Sequence, residues 1–402
     1  MSHTDMVSRT DAVERVLKAR KTALSRLDTE SVPLDAIAGR VLAEDVLAED
    51  DMPPHSYATM DGFAVDATED SPYEVVKHEV FPEDEPGEIG RGEAVRIATG
   101  APLPENANAV LKVEQAVVEE NQLTGAAIAR GTYVYERGSN VAAGEVLFEA
   151  GERLSPKDAI LLRDLGLDRV TVHDQFSVGV LATGTEIHEG RIADLDSPML
   201  ASLVDSWGQQ VSYEGSVPDD YETVENRIAD LADDRDVVVT TGGTSVGKKD
   251  YVIRALDALG TVDFHRVRVR PGKPIAVADL PDHDATVFAI PGKPVGAHTI
   301  TALVVRPFFT GSTELPSIPA TLTHGVGLGP EGFEYAVPVT LSDGNATPLG
   351  HVDSELSIYE ETFDPSVLSS STRATRADGF VLTETDRAAD ETVRVVPYPV
   401  VE

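Results

Sequence analysis

The chain has 402 residues and a formal net charge of −36 at pH 7, with 69 acidic residues against 33 lysines and arginines. This length exceeds what one compact core accommodates, so two to four domains are expected. The strong negative charge argues against nucleic acid as a partner. The absence of cysteine excludes disulfides, thiolate nucleophiles and cysteine-type zinc sites.

Neither a membrane partner nor export is expected. No apolar run approaches the roughly 18 residues that a spanning helix needs, and the polar stretch Met1–Asp11 lacks the apolar core of a secretory signal. We therefore expect a cytoplasmic protein. Acidic residues are spread along the chain, with only nine lysines beside 24 arginines. This pattern is typical of halophilic adaptation, in which salt screens self-repulsion; an acidic interaction surface is the alternative.

The first half of the chain predicts a helix followed by a β-rich region. Val13, Val16 and Leu24 recur at helical spacing and predict that the first segment, about residues 4–44, is helical. After Pro53-Pro54, short β-like runs separated by turns extend to about residue 137, which predicts a small β-rich domain. Residues 154–165 are again helical in pattern, with Ser155-Pro156 as the helix start.

Residues 175–310 have a different rhythm, in which apolar strands alternate with helical stretches. This alternation predicts a multidomain α/β protein whose central domain is a doubly wound, mostly parallel sheet with helices on both faces. In such folds, ligands bind beyond the carboxyl ends of the strands. The tail from Pro316 to Glu402 returns to short strands and turns, which indicates a last β domain.

The strongest local motif is a buried-type strand, Val237–Thr241, that runs into Gly242-Gly243-Thr244-Ser245 and then into a helix. Glycines let backbone N–H groups approach an anion, and the helix N-terminus adds a positive dipole end, so phosphate is the natural ligand. A tight turn without a ligand is one alternative. A P-loop is another, because Gly242, Gly247 and Lys248 have its spacing, but Lys249 stands where that motif needs Ser or Thr.

Two further loops share a Pro-Gly-Lys-Pro design, Pro271–Pro274 after Arg270 and Pro291–Pro294. Proline fixes the turn and the lysine presents one ammonium group, which suits an anion. Four of the nine lysines lie in the glycine and proline turns between residues 248 and 293. Exposed turn lysines placed by chance are the alternative.

Carboxylates supply the other half of a predicted site. Glu186, Asp219 and Asp250 each follow a predicted strand of the sheet, and Asp61 lies in Met60-Asp61-Gly62. Converging carboxylates beside phosphate suit Mg²⁺, which keeps several waters and takes one or two protein oxygens. Single carboxylates in so acidic a chain are more often solvated. The ten histidines are scattered without ligand spacing, so no structural zinc site is predicted.

Six segments, taken together and in order, resemble the molybdopterin molybdenumtransferase family, which includes MoeA and the gephyrin E domain. They are Met60–Ala64, Arg96–Pro104, Thr183–Glu186, Thr241–Tyr251, Pro271–Pro274 and Pro291–Pro294. The resemblance implies a homodimer of four-domain chains: a linker domain of residues 1–45 and 138–172, a β-rich domain of 46–137, a MogA-like molybdopterin-binding α/β domain of 173–311, and a barrel-like β domain of 312–402.

The resemblance also implies the chemistry. The substrates would be adenylylated molybdopterin and molybdate or tungstate, with Mg²⁺ required, AMP released and a molybdopterin adenylyltransferase as a protein partner. Asp61, Glu186 and Asp250 would position Mg²⁺ or the attacking water, and Lys273 and Arg270 would counter anionic charge. The remaining residues implied to bind the cofactor are Thr99, Asp219, Gly242, Gly243, Ser245, Pro291, Lys293 and Pro294. Because Asp61 belongs to a different domain, we expect the cleft to close between two subunits.

The sequence departs from the family pattern at several of these places. Asn140 stands where the family has an acid, Asp196 falls in a segment that is Asp-Ser-Asn in the family, and Lys293 and Gly296 replace an amide and a hydroxyl. Three interpretations follow: an active transferase, a paralogue that binds molybdopterin as a carrier or regulator, and an unrelated P-loop enzyme. ATP hydrolysis without pterin would indicate the third, and pterin binding without AMP release the second.

Overall fold

The computed structural model describes residues 6–244 and 250–402. The chain divides into two compact units. The first consists of Met1–Ala43, Gly151–Ile160 and Asp168–Glu402, and the second of Glu44–Ala150 and Leu161–Leu167. The division into four domains stays a prediction. Within the described ranges, no helix combines the length and apolar character that crossing a membrane requires.

The chain begins with helix α1 (Arg9–Leu24), whose first turn is capped by Ser8: its hydroxyl accepts from the Asp11 N–H at 3.0 Å. Val13, Val16 and Leu24 are buried, as their spacing predicts. The helix is nevertheless shorter than the segment that we expected to be helical, because strand β1 (Thr29–Pro33) follows it. Pro33 lacks the N–H that a continuing helix would need.

The second unit is β-rich, as predicted, and six of its strands form one sheet in the order β7-β4-β6-β5-β9-β8. The strands of the whole unit are β2 (Val46–Leu47), β3 (Tyr57–Ala58), β4 (Gly62–Val65), β5 (Tyr73–Val80), β6 (Glu93–Ile97), β7 (Ala109–Lys112), β8 (Ala116–Glu119), β9 (Gln122–Gly125), β10 (Val134–Tyr135) and β11 (Val146–Phe148). Strand β4 is buried along its whole length at the centre of two apolar clusters. Helix α2 (Asp158–Asp164) and strand β12 (Arg169–His173), which pairs with β1, come next in the chain.

The central part of the first unit alternates strands and helices. These are β13 (Ser177–Thr183), α3 (Thr185–His188), α4 (Asp196–Ser206), β14 (Gln210–Val217), α5 (Tyr221–Asp234), β15 (Val237–Thr241), α6 (Tyr251–Leu259), β16 (Thr261–His265), β17 (Val269–Arg270), β18 (Ala276–Leu280), β19 (Ala285–Ile290), α7 (Pro294–Ile300) and α8 (Arg306–Thr310). The sheet order is β14-β13-β15-β19-β18-β16. The first four strands are parallel, and β18 pairs antiparallel with both β19 and β16, which confirms the predicted mostly parallel sheet.

Both faces of this sheet are covered, because successive side chains of a strand point to opposite faces. Val237 and Val239 belong to the core that includes residues of α1, α4, α7 and α8. Val238 belongs instead to the core that includes residues of α5 and α6. The continuous apolar run of β15 is therefore that of a strand buried on both sides.

The C-terminal part of the first unit is a closed barrel of five strands, paired in the ring β21-β22-β20-β26-β25-β21. Its elements are β20 (Ile318–Leu322), β21 (Glu334–Ser342), β22 (Asn345–Pro348), β23 (Gly350–His351), β24 (Ser357–Tyr359), α9 (Pro365–Leu368), β25 (Gly379–Thr383) and β26 (Thr392–Pro397). This confirms the barrel-like domain expected for the tail. Strand β17 extends the barrel by pairing with the start of β21, which joins the sheet region to the barrel just before Pro271.

Candidate functional site

The carboxyl ends of three parallel strands coincide at one edge of the central sheet. Ala182 of β13 is paired with Thr241 of β15, and Thr241 is paired with Ile290 of β19. The Thr183-Gly184 turn, the Gly242-Gly243 turn and the Pro291-Gly292 turn therefore leave the sheet side by side. This edge is where a doubly wound sheet binds its ligand.

The turn after β15 is packed so closely that only glycine fits. Gly242 has φ +89°, and a Cβ there would lie 2.7 Å from the Thr183 carbonyl oxygen. A Cβ on Gly292 would approach the Gly242 Cα to 3.2 Å. Contact between two glycine backbones leaves main-chain groups, rather than side chains, at the surface of this edge.

The first Pro-Gly-Lys-Pro loop follows β17. The Arg270–Pro271 peptide is cis, and Gly272 has φ +109°. A Cβ on Gly272 would lie 2.8 Å from the Ile300 Cβ, so this loop is pressed against helix α7, which follows the second lysine-bearing loop. The guanidinium carbon of Arg270 lies 4.2 Å from the centre of the Phe333 ring, a cation–π contact that fixes the position of its charge.

The second Pro-Gly-Lys-Pro loop is tied to helix α9. Lys293 Nζ donates to the Ser366 carbonyl oxygen at 3.0 Å, and the Val295 N–H donates to the Ser369 carbonyl oxygen at 3.1 Å. Gly296 lies beside Gly272 and Ser369, where an added Cβ would make ordinary contacts of 3.4 to 3.7 Å. An ammonium group has three donors, so Lys293 can hold the carbonyl and still meet an anion.

These turns enclose a single cavity of about 490 Å³. Among the described residues, its lining includes three cationic side chains and no carboxylate. The lining residues are Gly242, Gly243, Thr244, Arg270, Pro271, Gly272, Lys273, Pro274, Pro291, Gly292, Lys293, Gly296, Pro365, Ser366 and Ser369. In a chain with a net charge of −36, a wall of this composition is a first indication of an anionic ligand.

The cations of the cavity repel one another. Burial lowers the pKa of Lys273, and the neighbouring charges of Arg270 and Arg266 lower it further. A bound anion would relieve this repulsion. The concentration of unrelieved positive charge is therefore a second indication that the cavity takes an anionic ligand.

Asp250 lies close to this cationic group without being part of the cavity wall. Burial raises its pKa to about 6, while the charge of Arg266 acts in the opposite direction. Its Oδ1 atom is buried and has no hydrogen-bond partner. The charge of Arg266 therefore acts on both the Asp250 carboxyl and the Lys273 ammonium.

Two other predicted carboxylates lie at the same edge of the sheet but do not line the cavity. Asp219 follows β14, and its N–H donates to the Thr185 hydroxyl at 3.0 Å. Its Oδ2 in turn accepts from the Thr185 N–H at 3.4 Å. Glu186 is exposed in helix α3. Both residues follow strand ends, as predicted, and their roles stay predictions.

Asp196 is a site residue that the sequence analysis noted only as a departure. It is 6% exposed, its Oδ2 accepts from the Thr241 hydroxyl at 3.2 Å, and its Oδ1 is buried without a partner. A Cβ on Gly292 would lie 3.9 Å from Asp196 Oδ2, so the carboxyl lies directly behind the cavity wall. Burial raises its pKa to about 6, and the charge of Asp194 adds to the increase.

Replacing Asp196 by asparagine is expected to raise the free energy of unfolding at pH 8 by about 1–3 kcal/mol. At that pH the folded protein holds a buried, ionised carboxylate, which lowers its stability. This destabilisation disappears as the pH falls from about 6 towards 3.8 and the carboxyl becomes protonated. The gain should therefore be present at pH 8 and shrink at pH 5. Urea unfolding at both pH values measures it, with exposed Asp230→Asn as the control. A destabilised variant, or a gain independent of pH, would contradict this account.

In the second unit, the structure brings Asp61 and Thr99 together. Asp61 Oδ1 accepts from both the N–H and the hydroxyl of Thr99, each at 2.7 Å. These two bonds lower the pKa of Asp61, so its exposed carboxylate is held ionised. Both residues were predicted from separate motifs, and their contact makes them one local group.

The cavity thus unites six of the predicted residues, namely Gly242, Gly243, Arg270, Lys273, Pro291 and Lys293. Pro294 begins helix α7 and is not in the lining, and Ser245 lies outside the described residues. Sequence reasoning missed Ser366 and Ser369, because the tail carries only a loose match to any motif. Only the structure identifies them, through their contacts with the second Pro-Gly-Lys-Pro loop.

Comparisons with known proteins agree over most of the chain. Residues 7–166 match the family model of the MoeA N-terminal region (domain I and II), and residues 179–311 match that of a probable molybdopterin binding domain. The molybdopterin molybdenumtransferase of Synechococcus elongatus is 33% identical over 318 residues, which covers 74% of this chain and 78% of the relative. That of Haemophilus influenzae is 31% identical over 310 residues, covering 72% and 75%.

A solved structure matches at full length. The molybdopterin biosynthesis MoeA protein of Pyrococcus horikoshii is 28% identical with a TM-score of 0.67, covering 98% of this chain and 99% of that one. Fold and matches together define a transferase of molybdenum cofactor biosynthesis. The chain belongs to the molybdopterin molybdenumtransferase family, as its motifs predict. Neither the carrier nor the P-loop interpretation is favoured by these matches.

Proposed function

We propose that this protein inserts molybdate, or tungstate, into adenylylated molybdopterin and releases AMP. The observation that carries the proposal is the cavity wall, in which Arg270, Lys273 and Lys293 surround glycine backbone at the carboxyl edge of the sheet. Adenylylated molybdopterin carries a phosphoanhydride, and molybdate is itself an anion. A volume of about 490 Å³ is of the size that binds such small molecules.

The residues have separate tasks in this proposal. Main-chain groups of Gly242 and Gly243 approach the phosphates, with Ser245 following in the same motif. Arg270 and Lys273 counter the negative charge of the substrate, and Lys293 supplies a third cation. Water adds to phosphorus, the anhydride bond breaks and AMP leaves with the electron pair. Rate enhancement then comes mainly from positioning and electrostatic stabilisation.

Mg²⁺ fits the acidic residues at this edge. The buried Oδ1 atom of Asp250 has no hydrogen-bond partner, so this oxygen is available to bind a hard cation. We propose that Asp250 holds the ion together with Glu186. The role of Asp61 in positioning the ion or the attacking water stays a prediction. When bound, the ion would neutralise part of the phosphate charge. Asp219, Thr99, Pro291 and Pro294 are proposed to shape the pterin-binding surface.

The decisive test mixes purified protein with adenylylated molybdopterin, Mg²⁺ and molybdate or tungstate in high and low salt. AMP release and protein-bound metal are measured on the same samples. Release of AMP that depends on the oxyanion supports the proposal. Binding of the pterin without AMP release would replace it with a carrier function, and ATP hydrolysis without pterin would overturn both. Sedimentation equilibrium in the same buffers tests the proposed homodimer.

A further inference from the structure

Two histidines that are distant in sequence lie together beside one carboxylate in the C-terminal barrel. His324 follows strand β20, His351 ends strand β23, and Asp353 comes two residues later. The imidazole rings are stacked with centres 4.2 Å apart. The fold therefore assembles a group that the spacing of the histidines in the sequence did not predict.

The distances within this group are those of metal ligands rather than of hydrogen bonds. His324 Nε2 is 3.4 Å from Asp353 Oδ2, and His351 Nδ1 is 3.7 Å from the same oxygen. A charge-assisted hydrogen bond is shorter, about 2.7–2.9 Å. Ligands about 2.0–2.1 Å from a tetrahedral zinc ion lie about 3.3–3.4 Å from one another. The 3.4 Å separation equals such an edge, and the 3.7 Å separation is slightly longer, so a small adjustment of the exposed Asp353 side chain would complete the geometry.

The hydrogen bonds around the rings leave the facing nitrogens unprotonated, as ligation requires. The Thr323 hydroxyl lies 2.9 Å from His324 Nδ1 and donates to the Thr347 hydroxyl at 3.1 Å. With the Thr323 hydroxyl as the acceptor of Nδ1–H, Nε2 keeps its lone pair towards Asp353. His351 Nδ1 accepts from the Asp353 N–H at 3.1 Å, so this nitrogen is unprotonated, and ligation through it would replace that hydrogen bond. Fixing the tautomer of a ligand through its other ring nitrogen is a common support of metal sites.

The surroundings favour a partly fixed site with an open position. His351 is 7% exposed and held by its contact with Tyr359, whereas the side chain of Asp353 is 67% exposed and able to adjust. The rings also border an open cavity that Glu360, Glu361 and Asp386 help to line. A water can supply a fourth ligand. Two imidazoles with one carboxylate suit zinc, whereas magnesium and calcium prefer oxygen ligands.

We propose that His324, His351 and Asp353 bind one Zn²⁺ ion per chain. The ion would connect the segment after β20 to strand β23 and stabilise this side of the barrel. This site is separate from the cationic cavity and does not depend on the proposed function.

Titration of the metal-free full-length protein with Zn²⁺, followed by calorimetry, tests the site. Co²⁺ is the spectroscopic probe, because its visible absorption reports a tetrahedral environment with nitrogen ligands. We expect one equivalent of Zn²⁺ per chain, a Co²⁺ band that Zn²⁺ abolishes, and a higher melting temperature with Zn²⁺. His324→Asn and Asp353→Asn should each lose the one-equivalent step, and Thr323→Val should weaken it about tenfold.

His283→Asn is the matched control, since His283 Nδ1 pairs with a single carboxylate, Asp233 Oδ1, at 2.6 Å. This variant should retain the one-equivalent step. Asp353 is exposed, so its replacement leaves the fold intact and keeps the test valid even if a histidine variant misfolds. Absence of a one-equivalent step in the wild-type protein would overturn the proposal. Binding that persists in both His324→Asn and Asp353→Asn would overturn it equally.

Discussion

Replacing Lys273 by glutamine is expected to lower kcat/KM for AMP release about a hundredfold, the usual loss when one group that stabilises transition-state charge is removed. Lys273 lines the cavity beside Arg270, and burial and two guanidinium groups lower the pKa of its ammonium. Glutamine keeps a polar side chain, one atom shorter than that of lysine, but removes the charge. Chromatography of released AMP measures the effect.

The pH profile gives this prediction a second readout. Because the pKa of Lys273 is lowered, its ammonium is lost at a lower pH than that of an ordinary lysine. Activity should therefore fall on the alkaline side, and Lys273→Arg, which stays charged, should remove that fall. Exposed Lys77 on β5 provides the control, and Lys77→Gln should be unchanged. Normal turnover by Lys273→Gln would refute the site assignment.

Asp250→Asn is expected to cause a loss of similar size, about a hundredfold or more in kcat. The substitution keeps the shape of a side chain whose buried Oδ1 lacks a partner and removes its ability to act as an anionic ligand. In the wild-type protein, the pKa of Asp250 is raised to about 6, so activity should rise as the pH increases through 6. AMP release measured from pH 5 to pH 8 checks both statements.

Two controls separate Asp250 from other acids. Asp230→Asn alters an exposed carboxylate of α5 and should leave the rate unchanged. Asp196 also has a pKa raised to about 6, so Asp196→Asn tests which of the two causes the acid limb. If the limb persists in Asp196→Asn, it belongs to Asp250. An active Asp250→Asn variant with an unaltered profile would exclude any role of this carboxylate in the reaction.

The central sheet could be predicted because its signal is local. An apolar run such as Val237–Thr241 followed by two glycines specifies a strand and its turn without reference to the rest of the chain. The cavity followed from the rule that parallel strands end at one edge, which placed Gly242 and Pro291 together. The lysines of the two Pro-Gly-Lys-Pro loops were found because this chain has so few others.

What escaped prediction depends on contacts between distant segments. Ser366 and Ser369 join the cavity only because α9 packs on the loop that contains Lys293. Asp196 gains importance from burial behind the Gly242–Gly292 contact, which no spacing in the sequence reveals. His324 and His351 are 27 positions apart by their numbers and meet through the closure of the barrel. In each case, tertiary packing rather than residue pattern creates the chemistry.

The cationic cavity in a chain of net charge −36 has a consequence for association kinetics. An approaching anion is repelled at long range by the surface as a whole and attracted only near the three cations. Electrolyte shortens the reach of surface charge to about 10 Å at 0.1 M and less at higher concentration. Added electrolyte should therefore speed the encounter with an anionic substrate, whereas at a protein of opposite overall charge it slows capture.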